Sequence, residues 1–281
     1  MHFHEQPNTY VTNVEVKVSD LQQSLIYYQD IIGFKVLQQE ANRATLTADG
    51  KTALLTIVQL ETIEQKTSST SGLYHFALLL PTRRDLANII THFRQSGVYF
   101  GASDHDVSEA LYLRDPDENG IEIYVDRPEN DWTWRSDQVH MVTEPLNIPS
   151  ILVEADGQWH GLPANTVMGH IHLSVSSLVA AETFYTKGLG FDIVTRYGEQ
   201  ALFISTGRYH HHIGLNTWYS EGAPKLGENQ IGLKSFTLRL VNEEQANTLK
   251  ANLRQLGAPV TDIEGGFQTE DPAGNVILLK F

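Results

Sequence analysis

The segment that decides the fold is His-Ile-His-Leu-Ser-Val at residues 170–175, because strands of the same pattern recur three more times along the chain. The other copies are Asn-Val-Glu-Val-Lys-Val (13–18), His-Phe-Ala-Leu-Leu-Leu (75–80) and Ser-Phe-Thr-Leu-Arg-Leu (235–240). In all four copies every second residue is apolar, which is the period of a strand with one buried face. Each copy opens a unit of roughly 50 residues, and a repeat of this length governs the whole fold.

Each unit continues with one helix and three further strands. An amphipathic helix follows every opening strand; in the second copy its apolar stripe is Leu86, Ile89, Ile90 and Phe93. A glycine stands where each helix should end, as a left-handed terminus commonly requires. These glycines are Gly33, Gly97, Gly190 and Gly257. The sequence therefore predicts an α+β fold of four βαβββ modules, at about residues 10–60, 72–127, 167–218 and 232–281.

The four modules are of two types, separated by a linker. Modules one and three end their helices with Ile-Gly-Phe (32–34) and Leu-Gly-Phe (189–191), whereas modules two and four share an Asp-Pro-x-x-Asn turn (115–119 and 271–275). We expect a first region of two modules at 1–127, a linker at 128–166 and a second region of two modules at 167–281. The linker carries Trp132 and Trp134, which predicts that it packs between the two regions.

Composition excludes several classes of function. The 281 residues carry a formal charge of −14, with 34 acidic against 20 basic residues, and this balance argues against binding to nucleic acid or an anionic membrane surface. The absence of cysteine excludes disulfides, thiolate metal sites, iron–sulfur clusters and cysteine nucleophiles. We find neither a signal peptide nor an apolar run of about 20 residues that would span a bilayer. The expectation is a cytoplasmic protein.

Paired βαβββ modules with the Asp-Pro-x-x-Asn turn resemble the vicinal-oxygen-chelate superfamily, which includes glyoxalases, bleomycin-resistance proteins and extradiol dioxygenases. The resemblance covers most of the chain. In that family two modules pair to form a cupped, incomplete barrel with a metal ion in the cup. The ligands come from the first and last strands of each module. The resemblance therefore implies two cups in this chain.

The distribution of possible ligands predicts how the modules pair. The polar face of the opening strand begins with His75 in module two and with His170 in module three, and only these two modules offer an imidazole there. In the closing strands, Glu122 lies between two isoleucines in module two, and we assign His212 to the matching place in module three. The closing strands of modules one and four contain no histidine or acid. Pairing module two with three, and one with four, collects all four candidates in one cup, so we predict two cupped, barrel-like sheets with that pairing.

Within this cup, His75, His170 and Glu122 form the predicted metal site. Two histidines and one carboxylate are the facial triad of non-haem iron(II) oxygenases, and Mn(II) or another divalent ion accepts the same ligands. His172 shares a strand face with His170; the register with His75 favours His170, and both alternatives stay open. His212 is left beside the ion, as an acid–base residue or as a fourth ligand.

Residues 103–122 resemble the extradiol dioxygenases, in particular the bacterial catechol 2,3-dioxygenases. That family shows a histidine, about six residues, an aliphatic-Tyr pair, an Asp-Pro turn and the glutamate ligand. The matching residues here are His105, Leu111-Tyr112, Asp115-Pro116 and Glu122. Ser103 and Glu118 depart from the family pattern. The resemblance implies that His105 and Tyr112 hydrogen-bond a substrate oxygen.

The run Tyr-His-His-His-Ile (209–213) resembles the segment of that family that carries the acid–base histidine, which makes His212 the candidate for that role. A neutral imidazole beside an open metal position can move protons near neutral pH. The implied partners are a small aromatic diol and O2, and the implied activity is Fe(II)-dependent opening of a catechol-type ring.

Two other functions use the same fold. A glyoxalase-like lyase or isomerase has metal ligands at all four positions, typically with two carboxylates. A non-catalytic binding member usually lacks the metal set. One carboxylate and the pair formed by His105 and Tyr112 favour the dioxygenase. The sequence leaves open which ring is cleaved, which metal is bound and whether the chain forms a homo-oligomer through the modules that lack ligands.

Overall fold

The computed structural model describes residues 2–64 and 68–281, and its elements follow the four predicted modules. Module one contains β1 (Tyr10–Val18), α1 (Leu21–Ile26) continued by a π-helix (Tyr27–Ile32), β2 (Lys35–Gln39), β3 (Arg43–Thr47) and β4 (Leu55–Gln59). Module two contains β5 (Gly72–Leu79), α2 (Arg83–Gln95), β6 (Gly101–Asp104), β7 (Ser108–Arg114) and β8 (Gly120–Asp126).

The second half repeats this order after a structured linker. The linker contains a 3₁₀ turn (Glu129–Asp131), β9 (Trp134–Arg135), β10 (Gln138–Val139), β11 (Glu144–Pro145) and α3 (Ile148–Leu152). Module three contains β12 (Val167–Ser174), α4 (Leu178–Thr183) continued by a π-helix (Phe184–Gly188), β13 (Asp192–Tyr197), β14 (Ala201–Ser205) and β15 (Ile213–Asn216). Module four contains β16 (Gly232–Arg239), α5 (Glu243–Gln255), β17 (Val260–Ile263), β18 (Gly266–Glu270) and β19 (Val276–Lys280).

The strands form two large sheets, each built from two modules. One has the order β17-β18-β19-β16-β1-β4-β3-β2 and contains modules four and one. The other has the order β11-β6-β7-β8-β5-β12-β15-β14-β13 and contains modules two and three, with β11 of the linker at its edge. In both sheets the opening strands of the two modules lie side by side and antiparallel. This strand order is consistent with the predicted pairing.

The apolar face of each opening strand packs against the helices. Val16, Phe76, Leu173 and Leu238 are fully buried in the main core, which also contains the apolar stripe of α2. Side chains of Asp20, Thr82, Ser177 and Asn242 accept hydrogen bonds from backbone N–H groups three residues further on, and so begin the four module helices. The predicted terminal glycines have φ between +67° and +93°. The polar face of each opening strand is left to line a cup.

Modules that are adjacent in sequence are joined through the ends of their helices. The Tyr28 hydroxyl donates to Asp115 Oδ2 at 2.8 Å, and the Tyr185 hydroxyl donates to Asp271 Oδ2 at 2.9 Å. Both carboxyl groups belong to the Asp-Pro-x-x-Asn turns and are buried, which raises their pKa above the usual range. The shared aromatic helix end and the shared turn are therefore two halves of one contact.

The linker packs against the sheet of modules two and three. Trp132 lies in a small apolar cluster with Val107 of module two and Tyr209 of module three, and its ring stacks on Phe3 at 5.4 Å between centroids. Further along, β11 adds to the edge strand β6. Within the part of the chain that the structure describes, no helix is long and apolar enough to cross a membrane.

Candidate metal centre

Three predicted ligands converge in the cup formed by modules two and three. Nε2 of His75 lies 2.9 Å from Oε2 of Glu122, and Nε2 of His170 lies 3.1 Å from the same oxygen. One ligand atom from each residue falls within 4.8 Å of the other two. The residues are only 6%, 3% and 1% exposed, respectively. This cluster is a candidate site for a divalent metal ion.

The hydrogen bonding of the cluster fits a metal ion. His75 Nε2 is buried and has no hydrogen-bond partner, although Glu122 Oε2 is near it. A buried nitrogen without a partner costs free energy, and a cation among the three side chains would satisfy it. Burial alone would raise the pKa of Glu122, but the imidazoles of His170 and His75 outweigh burial and hold it well below the usual range. The carboxylate is therefore in the charged form that binds metal ions.

Strand register explains why these side chains meet. In the antiparallel pair of β5 and β12, Phe76 lies opposite Ile171, so that His75 and His170 occupy equivalent positions. The parallel neighbours place Ile121 beside Phe76 and Ile213 beside Ile171. The structural counterpart of Glu122 in module three is therefore Gly214. The prediction that His212 holds this position was wrong by two residues.

His212 does not line the cavity beside the candidate metal site. It immediately precedes β15, its ring lies 5.3 Å from that of His4 and 4.9 Å from that of Tyr209, and its Nε2 is 3.0 Å from the Phe3 carbonyl oxygen. The N-terminal 3₁₀ turn (His2–His4) occupies the space in front of it. Nothing in the sequence pattern placed that turn here.

His211 is the member of the run that faces the candidate metal site. Its ring lies 4.1 Å from that of His170 and 4.9 Å from that of Phe203, and it lines the cavity. Burial, reinforced by the neighbouring His170 and His210, lowers the pKa of His211 well below its usual range. The side chain is therefore a neutral imidazole, which can accept a proton. In the sequence, the run of three histidines (210–212) indicated that one of them could lie beside the metal site, but it did not identify which one.

The structure separates His170 from His172. His172 faces the same cavity, and its ring lies 5.0 Å from that of His75. However, its Nε2 accepts a hydrogen bond of 3.0 Å from the Asn216 side-chain amide, and it is not part of the convergent group. The arrangement favours His170 as the ligand, with His172 beside it.

His105 and Tyr112 form a hydrogen-bonded pair on the other side of the cavity. His105 Nδ1 lies 2.6 Å from the Val142 carbonyl oxygen and must donate to it, and His105 Nε2 lies 2.6 Å from the Tyr112 hydroxyl. Tyr112 lies directly opposite Glu122 in the pair of β7 and β8. Burial and the Glu122 carboxylate raise the pKa of Tyr112 well above its usual range, so the phenol stays protonated. Val142 belongs to the linker, which therefore helps to orient the site.

The candidate metal site opens into a cavity of about 850 Å³. His75 and Glu122 lie in its wall together with His105, Tyr112, His172 and His211. Aromatic side chains at residues 74, 99, 100, 197, 203 and 218 also line it. A cavity of this size and lining is typical of a site for a small organic ligand. Tyr124 and Asp126, which share a strand face with Glu122, do not line the cavity and instead contact the segment 209–210.

The second cup, formed by modules one and four, has a different chemistry. Register places Asn13 and Ser235 where the first cup has His75 and His170. Glu15 is paired there with Arg43 and Lys234, each at 3.0 Å. Within residues 2–64 and 68–281, no second group of three histidine or acidic side chains converges on one point.

Comparison with known proteins identifies the family. The model of the glyoxalase/bleomycin resistance protein/dioxygenase superfamily matches residues 11–123 and 167–279. These two ranges hold most of the chain and include the three candidate ligands His75, Glu122 and His170. The chain belongs to this superfamily.

The individual relatives are dioxygenases, found by sequence similarity, and a glyoxalase, found by similarity of structure. The chain is 41% identical to the catechol-2,3-dioxygenase of Bacillus subtilis (strain 168) over 275 residues, or 96% of each chain. It is 29% identical over 103 residues to biphenyl-2,3-diol 1,2-dioxygenase 3 of Rhodococcus globerulus, which covers 36% of this chain and 54% of that one. Among solved structures, glyoxalase I from Zea mays has a TM-score of 0.57 at 15% identity and covers 99% of this chain and 94% of its own. The last similarity shows the fold alone.

Proposed function

We propose that the protein is an Fe(II)-dependent extradiol dioxygenase that opens a catechol-type aromatic ring with O2. The observation that carries the proposal is the position of the triad, which lies between the pair formed by His105 and Tyr112 and the imidazole of His211 in one cavity. The Bacillus subtilis relative, 41% identical over nearly the whole chain, is named a catechol-2,3-dioxygenase. Site and relative support the same class of reaction.

His75, His170 and Glu122 would hold the ion. Two imidazoles and one carboxylate on one side leave coordination positions open, which is the arrangement of non-haem Fe(II) oxygenases. A bound Fe(II) would supply the place where the adjacent oxygens of the diol and dioxygen meet. The same donor set accepts Mn(II), so the identity of the metal rests on the proposed reaction and on the relative.

His105 and Tyr112 would orient the diol. A neutral His105 that donates through Nδ1 to the Val142 carbonyl would offer Nε2 as an acceptor beside the Tyr112 hydroxyl. A substrate hydroxyl that displaces this mutual hydrogen bond would donate to Nε2 and accept from the Tyr112 hydroxyl. Both groups lie in the cavity wall before the substrate arrives, and groups placed in advance stabilise charge that develops on oxygen.

His211, in place of His212, would be the acid–base residue. It is neutral, it lines the cavity, and its ring lies 4.1 Å from that of His170. A neutral imidazole at this position can take a proton from the substrate and return it later. His212 lacks access because its ring is packed against His4 and Tyr209.

A glyoxalase-like reaction is less well supported by the same site. In that reading a fourth ligand, typically a second carboxylate, would stand at the counterpart of Glu122. That counterpart is Gly214, which has no side chain, and a Cβ added there would lie 2.9 Å from the His172 ring. The substrate we propose is therefore a small aromatic diol, with dioxygen as the second substrate.

The test is anaerobic reconstitution with Fe(II), followed by addition of catechol and oxygen. We expect about one iron per chain, uptake of O2 and a yellow ring-opened semialdehyde. Glu122→Ala should lose the iron, because a buried triad without its carboxylate has no charge to offset the cation. His211→Gln should keep the iron and reduce kcat by about 100-fold, the lower end of the usual contribution of general acid–base catalysis.

His212→Gln is the matched control for the acid–base assignment, since it is a buried histidine of the same run outside the cavity. We expect it to lower thermal stability while kcat of the folded fraction changes little. A large loss of kcat in His212→Gln with none in His211→Gln would reverse the assignment. A protein that binds iron but consumes no oxygen with any catechol would refute the proposed function.

A further inference from the structure

A line of hydrogen bonds leads from His211 away from the cavity to Asp126. His211 Nδ1 lies 2.8 Å from His210 Nδ1, and His210 Nε2 lies 2.8 Å from Asp126 Oδ1. The His210 side chain is fully buried, whereas that of Asp126 is 22% exposed. None of the roles proposed above uses His210 or Asp126.

The donors and acceptors in this line can be assigned one by one. A carboxylate oxygen accepts, so His210 Nε2 carries the proton that bonds to Asp126. When that is the only ring proton of His210, its Nδ1 is bare and accepts. His211 Nδ1 is then the donor of the 2.8 Å bond between the two rings. It follows that His211 Nε2 is the nitrogen without a proton, and the one left for the cavity.

Asp126 is itself held in place from the other side. The Tyr209 hydroxyl donates to the same Oδ1 at 3.2 Å, and the hydroxyls of Tyr209 and Tyr124 are 2.6 Å apart. Both tyrosines are buried, and burial together with Asp126 raises the pKa of each well above the usual range. The Tyr209 phenol, which is itself bonded to the Tyr124 hydroxyl, and the His210 imidazole thus fix the direction in which the carboxylate points.

We infer that Asp126 and His210 are positioning residues that hold His211 in the tautomer with its proton on Nδ1, so that Nε2 meets the substrate as an acceptor. The expected effect on kcat rests on the proposed function. The tautomer of His211 does not, because it is set by hydrogen bonds within the folded chain. In a buried imidazole the partner of one nitrogen decides the role of the other. An isolated His211 could carry its proton on either nitrogen, and one of the two forms would face the substrate with a donor.

The first measurement is the tautomer, which does not depend on activity. A long-range ¹H–¹⁵N correlation spectrum of the zinc-substituted, diamagnetic protein distinguishes protonated from bare imidazole nitrogens, and comparison with His211→Gln identifies the signals of His211. We expect Nδ1 protonated and Nε2 bare in the wild-type protein. A wild-type His211 with its proton on Nε2 would overturn the inference.

The second measurement uses His210→Phe, which keeps a ring but removes both nitrogens. The His211 signals should change to a mixture of tautomers. In the Fe(II) enzyme kcat should fall on the order of 100-fold, while KM and the iron content stay near those of the wild type. His210→Asn should recover about tenfold of this loss, because its side-chain oxygen can accept near the position of Nδ1; a tenfold change corresponds to about 1.4 kcal/mol, within the range for one hydrogen bond. Glu182→Gln, which removes a surface carboxylate paired with Arg196, is the control and should leave both readouts unchanged.

The outcomes separate the two proposals. If the tautomer is as expected but no ring is opened, the proposed function fails and the positioning of His211 stands. If ring opening is observed while His210→Phe leaves both the tautomer and kcat as they were, the proposed function stands and the role of His210 is refuted. Equal losses of kcat in His210→Asn and His210→Phe would also count against it, since the restored acceptor would then have no effect.

Discussion

Gly120 lies two residues before the candidate ligand Glu122, and we predict that Gly120→Ala damages both stability and metal binding. A Cβ on Gly120 would lie 2.0 Å from the Tyr74 carbonyl oxygen and 3.0 Å from the Cβ of His75. The first contact is with backbone and cannot be relieved by a side-chain rotation. The strands β5 and β8 would have to move apart by about 1 Å, the shortfall from the 3.0 Å that real contacts respect.

This separation acts directly on the candidate metal centre, because β5 carries His75 and β8 carries Glu122. Overpacking of a well-packed interior usually costs about 1–3 kcal/mol, and a clash with rigid backbone belongs at the upper end of that range. We therefore expect the free energy of unfolding of the metal-free protein to fall by about 3 kcal/mol. Displacing a ligand from its supported position should also weaken iron binding by about 10- to 100-fold, the usual effect of losing such support.

Equilibrium unfolding in urea with a chelator present measures the first effect, and titration with Fe(II) under anaerobic conditions measures the second. Gly101→Ala is the matched control, since a Cβ there meets no atom closer than 3.6 Å. It should change stability by no more than about 0.5 kcal/mol. If Gly120→Ala unfolds at the same urea concentration as Gly101→Ala and binds iron as tightly, the argument from the packing of β5 against β8 is refuted.

Three further predictions concern the Asp-Pro-x-x-Asn turn at 115–119 and the pair formed by His105 and Tyr112. Tyr28→Phe leaves the buried Asp115 carboxyl without one donor and should lower the free energy of unfolding by about 1–3 kcal/mol; urea unfolding checks this, and a loss under about 0.5 kcal/mol would contradict it. Tyr112→Phe removes the hydroxyl beside His105 and should lower kcat/KM for catechol by about 10- to 100-fold at unchanged iron affinity; normal kcat/KM would exclude Tyr112 from substrate binding. Glu118 has φ of +65°, so Glu118→Gly should raise stability by about 1 kcal/mol, measured as a higher melting temperature; a lower one would show that the side chain stabilises the turn.

Much of the fold and the candidate ligands could be predicted from the sequence because both depend on short-range geometry. Side chains alternate between the two faces of a strand, so the apolar positions fix which face of each opening strand is buried and which is left for the cup. This placed His75 and His170 at equivalent positions, and it placed Glu122 on the polar face of its strand. The four-module repeat and the helix-ending glycines were read in the same way.

The prediction that His212 is the counterpart of Glu122 was wrong for a physical reason. Residues 206–212 lie between β14 and β15, and their path is set by contacts with distant parts of the chain. Thr206 exchanges hydrogen bonds with Thr9, and the Phe3 carbonyl bonds to His212. No local periodicity carries that information. Counting back from the strand gave the wrong register, and only the tertiary structure showed that His211 turns toward the candidate metal site.

The sequence by itself determined the module and the strand faces, since both follow from the covalent geometry of an extended chain. It also supplied the candidate ligands, two histidines and one glutamate. The tertiary structure decided what surrounds the ligands: the Val142 carbonyl that orients His105, the N-terminal turn that holds His212 away from the cavity, and the line from His211 to Asp126. These contacts join residues up to 209 positions apart. They form only when the chain has folded, because the free energy that fixes them comes from packing between segments that have no contact in the extended chain.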